Sequence, residues 1–124
     1  METALWVAQV MLATIFLLTG ATKLTQPRLV MAAGPMTWAA DVSDTEFRAI
    51  GVLEVLGAFG LVLPGVLHVA PLLTPLAAAG LALTMVGAFM THLRHGETNR
   101  LAVPIVLFAL AVFVALARFG AYSL

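Results

Sequence analysis

Cysteine is absent from this chain, and charge is scarce: six Lys and Arg and six Asp and Glu make up 10% of the residues. Without cysteine the chain forms no disulfides, no thiolate metal sites and no thiol redox centre of its own, and its redox compartment is left undetermined. Soluble domains carry about 25% charged residues. Here 62% of the residues are hydrophobic, so too few polar groups exist to clothe a water-facing surface, and the bilayer is the matching solvent. Net charge is zero and the basic residues sit among acids, which excludes an electrostatic footprint for nucleic acid. No Gly-rich phosphate loop follows a strand, and no Ser-His-Asp or Cys-His arrangement is present. No reaction can be read from the sequence, and it does not decide whether the chain is an enzyme.

What remains is a single all-α membrane domain over residues 1–124, an integral four-helix transmembrane bundle. Leu5 to Leu24 is an apolar run of about 20 residues, which at 1.5 Å per residue matches a hydrocarbon core of about 30 Å. It lacks a basic n-region and a small-residue cleavage site before Lys23, and reads as a retained helix rather than a signal peptide. The linker from Thr25 to Val42 holds Pro27, Gly34-Pro35 and Trp38. Its Leu29, Val30, Met31 and Met36 are too apolar for a free loop, so it is expected in the interface or folded back on the bundle.

Ser43-Asp44-Thr45-Glu46 has the form of a capping box and starts the second helix. Pro64-Gly65 is expected to stop that helix near Leu63. Thr74-Pro75 reads as an N-cap with proline at the first helical position, opening a third helix that runs to His95 with Gly96 as its cap. A fourth follows the Glu97-Thr98-Asn99 turn, with Pro104 in its first turns and Gly120 at its end. The predicted spans are 5–24, 45–63, 75–95 and 101–118. Lys23, Arg28, Arg48, Arg94 and Arg100 flank the first and third connections, and Arg118 alone marks the opposite side. The positive-inside rule then makes those two connections cytoplasmic. Trp6 and Trp38 suit aromatic belts at the span ends, and His68 an interfacial loop.

Glu54 is the polar residue that most needs explaining. It lies about ten residues past the Ser43 cap, roughly 10 Å below the headgroups, where insertion of a charge costs roughly 2.5 to 3.5 kcal/mol. Its helical neighbours include Gly51, Gly57 and Ala58, a small-residue face suited to close contact, so Glu54 is expected to look inward. A proton or ligand site and a hydrogen-bonded packing post are equally compatible with that position. On the first helix Gln9, Ala13, Phe16, Gly20 and Lys23 form one stripe toward the bundle. Lys23 can reach Glu54 or, as the plainer alternative, snorkel to lipid phosphates. Arg48 is expected to meet the interface or Asp44. Gly80, Thr84, Ala88, Thr91 and His95 make a similar stripe on the third helix, with Gly80 counted among the packing glycines beside Gly20, Gly51 and Gly57. His92, His95 and Glu97 are too few for a closed metal site, and no metal is expected. The candidate ligand-binding or proton-linked residues are therefore Glu54, Lys23, Arg48, His92 and Glu97.

Three segments of this chain resemble the DoxX and DoxX-like family of small bacterial four-helix membrane proteins: FLLTGATKL (Phe16 to Leu24), RAIGVLEVLGAFGLVLP (Arg48 to Pro64) and LTPLAAAGLALTMVGAFMTHLRHGE (Leu73 to Glu97). The marks are Gly20 and Lys23, the Arg48, Gly51, Glu54, Gly57, Pro64 series, and His92 with Gly96-Glu97. The resemblance implies a multi-pass protein of the bacterial cytoplasmic membrane. It also implies a binding or accessory subunit linked to quinone and redox chemistry, since the family is named for a membrane subunit associated with thiosulfate:quinone oxidoreductase. With no cysteine and no evident haem ligand pair, quinone or a partner redox subunit would carry the electrons. The alternatives are a site for a lipid or isoprenoid without redox turnover, and a structural anchor for a soluble partner. The bilayer is the certain partner, and small-residue faces permit a homo-oligomer.

Overall fold

The computed structural model describes all 124 residues. Four helices are long and apolar enough to cross a membrane. They are α1 (Glu2–Thr25), α3 (Asp44–Leu67), α4 (Leu73–Arg94) and α5 (Ala102–Phe119), and a short α2 (Arg28–Ala32) lies in the first connection. No strand is present. At 24 residues, α1 and α3 are about 36 Å long, enough to cross the hydrocarbon core with tilt. Only a stripe of each span is buried, where Leu5, Leu12, Phe16, Leu61, Leu81, Leu107 and Val114 meet. Leu56, Leu83 and Leu116 stand exposed on the outer faces. In water such a surface would aggregate; in lipid it is the solvated surface.

Close packing begins with glycine. A Cβ added at Gly20 would lie 2.8 Å from the Gly51 carbonyl oxygen, and one at Gly51 would lie 2.9 Å from Lys23 Cβ. Hence α1 and α3 cross backbone to backbone. Gly57 admits Leu81 of α4, with 2.8 Å from the built Cβ to Leu81 Cδ2, and Gly60 admits Ala77. Gly80 behaves differently from the expectation: it is exposed, and a Cβ there would meet nothing within 4 Å. It is not a packing glycine, because α4 turns it toward open space.

The capping box forms as read. Glu46 N–H donates to Ser43 Oγ at 3.1 Å and Ser43 N–H to Glu46 Oε1 at 3.4 Å. Two expectations about proline are corrected. Pro64 does not stop α3, which runs on to Leu67 and closes on His68 in the left-handed region, φ 54°. Nor does Thr74 cap α4, which starts at Leu73. One contact explains both: Pro64 has no N–H for the Gly60 carbonyl four residues back, and the Thr74 hydroxyl donates to that carbonyl instead, at 2.9 Å. The helix survives its proline because a neighbouring helix supplies the missing donor. Gly65 is used for approach, since a Cβ there would lie 2.6 Å from the Trp6 ring.

At the Glu2 end of α1 a polar network crosses the bundle. Arg118 is 1% exposed; its Nε donates to Gln9 Oε1 at 2.8 Å and its Nη1 to Glu2 Oε1 at 2.9 Å and to the Tyr122 carbonyl at 2.8 Å. Gln9 Nε2 in turn donates to the Leu61 carbonyl at 2.6 Å. Trp6 lies under the guanidinium, 5.6 Å from ring centre to Cζ, and so serves packing rather than only an aromatic belt.

At the other end the first connection folds onto the bundle. Arg28 donates through Nε to Asp44 Oδ1 and through Nη1 to the Ala39 carbonyl, both at 2.8 Å. Arg100 Nη1 donates to the Pro35 carbonyl at 3.0 Å, Thr37 Oγ1 to Glu97 Oε2 at 3.0 Å, and His95 Nε2 bonds Asp41 Oδ2. A 3-10 turn, Thr37–Asp41, is thereby held against the α4–α5 turn, whose Gly96 takes φ 68°.

Candidate functional site

Lys23 and Glu54 meet inside the bundle. Lys23 Nζ is 2.6 Å from Glu54 Oε1, with side chains 7% and 4% exposed. The Gly20–Gly51 crossing brings them together, since Lys23 follows Gly20 and Glu54 follows Gly51 by three residues, each on the inner face. Lys23 does not snorkel: the crossing directs its stem along α3, and the carboxylate compensates a charge that would otherwise be costly at this depth. Thr19, four residues before Lys23, donates from Oγ1 to Glu54 Oε2 at 2.8 Å. The Trp38 ring lies 5.8 Å from Lys23 Nζ, within cation–π range, and Trp38 packs on Phe47 at 5.8 Å between ring centres.

This group lines a cavity of about 760 Å³, within the range of small-molecule sites. Phe16, Thr19 and Lys23 of α1, Leu53 and Glu54 of α3, Thr84, Thr91 and His92 of α4, and Pro104 and Leu107 of α5 form the walls, with Pro35, Trp38 and Arg100 at the linker end. The wall is apolar with polar atoms concentrated near the linker. Lys23 and Glu54 cancel in charge, as do Arg100 and Glu97, whose Nε and Oε2 are 3.4 Å apart. A lysine ammonium has three N–H donors, and Glu54 Oε1 is the oxygen that Lys23 meets. Donor capacity is therefore left over in a side chain that is 5% exposed.

The candidates from sequence divide. Glu54, Lys23 and His92 line the cavity. Arg48 does not; rather than pairing with Asp44 it donates from Nη1 to the Lys23 carbonyl and to the Gln26 carbonyl at 2.8 Å. It thus satisfies carbonyls at the end of α1, which have no helical donor, and Asp44 pairs with Arg28 at 2.8 Å. Glu97 stands behind the wall, accepting from Thr37 and lying 3.3 Å from His92 Nδ1. His95 bonds the Thr91 carbonyl through Nδ1 at 2.8 Å and Asp41 through Nε2, so His92 and His95 face different partners. Thr19, Trp38, Thr84 and Arg100 were not among the candidates. Thr19 carried a signal, its i,i+4 spacing to Lys23; Trp38 and Arg100 carried none, because the linker fold brings them in.

Outside the spans, two groups titrate away from their ordinary values. The bond to the Thr91 carbonyl, then that to Asp41, raises His95 above 6.5. Burial pushes Glu97 upward, but Thr37, His92 and Arg100 together outweigh it and hold the carboxyl below 4.5.

No curated protein and no solved structure matches the chain. The family model described as the DoxX-like family matches residues 7–114, which takes in all of the cavity walls. Gly20, Lys23, Gly51, Glu54 and His92, on which the sequence resemblance rested, all lie within that stretch, and the chain belongs to the DoxX-like family of membrane proteins.

Proposed function

We propose that this chain is a membrane-embedded binding protein for a neutral amphiphile whose head carries a carbonyl-type oxygen. The observation that carries the reading is Lys23. Its ammonium is buried, lines the cavity, and lies 2.6 Å from Glu54 Oε1. A carbonyl oxygen is the natural partner for an unspent N–H, and a hydroxyl on the same head can donate to Glu54. The charges around the cavity balance in pairs, which favours a neutral head over an anion or a cation. Quinones fall in this class, as do ketone, ester and amide lipids. If the ligand is a quinone, electrons pass through it to a partner redox subunit. The working location is the bacterial cytoplasmic membrane, with the two clasped connections on the cytoplasmic side.

Mass spectrometry of molecules co-extracted with the purified protein tests this. Wild-type protein should carry one amphiphile well above its share of the bulk lipid. Glu54→Gln keeps size and most hydrogen bonding but removes the charge, and should lose that enrichment while still inserting and folding. Thr84→Leu fills the cavity from α4 without touching the ion pair, and should lose it as well. Equal lipid profiles for all three proteins would defeat the reading and leave the anchor alternative in its place.

A further inference from the structure

The cavity has a side opening as well as a polar end. Near their connection α3 and α4 are in contact through Gly57 with Leu81, Gly60 with Ala77, and the Thr74 bond to Gly60. Beyond Leu81 the cavity lies between them, edged by Leu53 on α3 and Leu83 on α4, which are 61% and 73% exposed. On α4 the wall there is Gly80, Thr84, Gly87 and Ala88, which share one helix face. A Cβ built on Gly80 or Gly87 meets nothing within 4 Å, so no other helix occupies this groove. The Thr84 hydroxyl is spent on the Gly80 carbonyl at 3.0 Å, so it offers no free donor to the groove. The same cavity holds the buried Lys23 with its unspent donors.

We infer that the groove along Gly80, Thr84 and Gly87 is a chain-binding subsite: the ligand enters sideways from the bilayer between α3 and α4, and its apolar tail stays there while its head reaches Lys23 and Glu54. This rests on the proposed carbonyl-head site and adds a second element to it. The ligand class becomes a long-chain amphiphile in which a neutral oxygen-bearing head continues into one unbranched or isoprenoid chain. Lipid tails are as apolar as the groove, so binding the chain gains little by burial. What the groove must supply is room, and the glycines supply it.

Trp38 reports on the head site once Trp6→Phe removes the other tryptophan. In that background, in lipid nanodiscs, quenching of Trp38 is titrated with two probes, decyl-ubiquinone and the tail-less 2,3-dimethoxy-5-methyl-benzoquinone. Gly80→Leu and Gly87→Leu put bulk into the groove, and Ala109→Leu adds the same bulk on an exposed face of α5 as a control. Overfilling a site made to fit a chain should weaken decyl-ubiquinone by at least about tenfold, with the tail-less probe and the control unchanged. Decyl-ubiquinone binding equally well to both glycine variants overturns the chain subsite while leaving the head site standing. Weakening of both probes alike also overturns it, since the substitution then acts on the head. Saturable quenching by neither probe, or quenching indifferent to Glu54→Gln, removes the head site and the subsite with it. Because a built Cβ at Gly80 and Gly87 touches nothing, both variants should fold, and an unchanged helical circular dichroism spectrum verifies it.

Discussion

Thr74 on α4 donates its hydroxyl to the carbonyl of Gly60 on α3 at 2.9 Å, and that carbonyl is the one Pro64 leaves without a helical partner. The pair couples a proline in one span to a threonine in the next. Interhelical hydrogen bonds in membranes average about 0.6 kcal/mol and reach about 1.7. Because Gly60 has no other donor in its helix, the upper part of that range applies here. Thr74→Val should cost about 1 to 1.5 kcal/mol, and Pro64→Ala should remove most of that cost by restoring an N–H to the ladder. A double-mutant cycle in reversible detergent unfolding measures the coupling; strict additivity would show that Thr74 is not the substitute donor.

Removing one partner of the Lys23–Glu54 pair strands a charge that is more than nine-tenths buried. Glu54→Leu or Lys23→Met alone should destabilise the bundle by about 3 to 5 kcal/mol. Both changes together leave no charge to compensate, so the double variant should recover most of the loss while failing to bind. If it is no more stable than the worse single variant, the charges are not each other's compensation.

The linker clasp should depend on pH at both edges. His95 has a raised value in the folded state, so its contribution is complete below about 6.5 and lost as pH rises through that raised value. For Glu97 the value is lowered, so its contribution is complete above about 4.5 and lost as pH falls through the lowered one. Attachment of the 3-10 turn is therefore fullest between about 4.5 and 6.5. Trp38 emission in the Trp6→Phe background should stay constant across that window and shift on the alkaline side. Asp41→Asn weakens the His95 bond and should move the alkaline shift to lower pH; an unmoved shift would assign the transition to another group.

Absence of cysteine makes topology easy to test. A single cysteine at Asn99 should be labelled by a membrane-impermeant maleimide only from the cytoplasmic side, and one at Val69 only from outside. The opposite pattern reverses the orientation and places the clasp and the cavity mouth outside the cell.

Solvent and helical elements were legible from composition and local motifs alone. Twelve charges in 124 residues fix the bilayer as surroundings, and the Ser43 box and Gly96 set helix ends through local backbone chemistry, which needs no distant partner. Glu54 facing inward was also legible, because an isolated carboxylate in lipid has few tolerable positions. The rest came from packing between helices, because in each case the deciding partner sits on a different helix. Pro64 looked like a stop until Thr74 replaced its donor; Lys23 looked free to snorkel until the Gly20–Gly51 crossing held it beside Glu54; and Arg118 looked like a span-end charge until Gln9, 109 residues away, accepted from it. Gly80 carried the same small-residue signal as Gly20 and Gly51, yet faces open groove. Residue type records that a backbone can be approached closely, and only the helix crossings decide whether another helix or a ligand makes the approach.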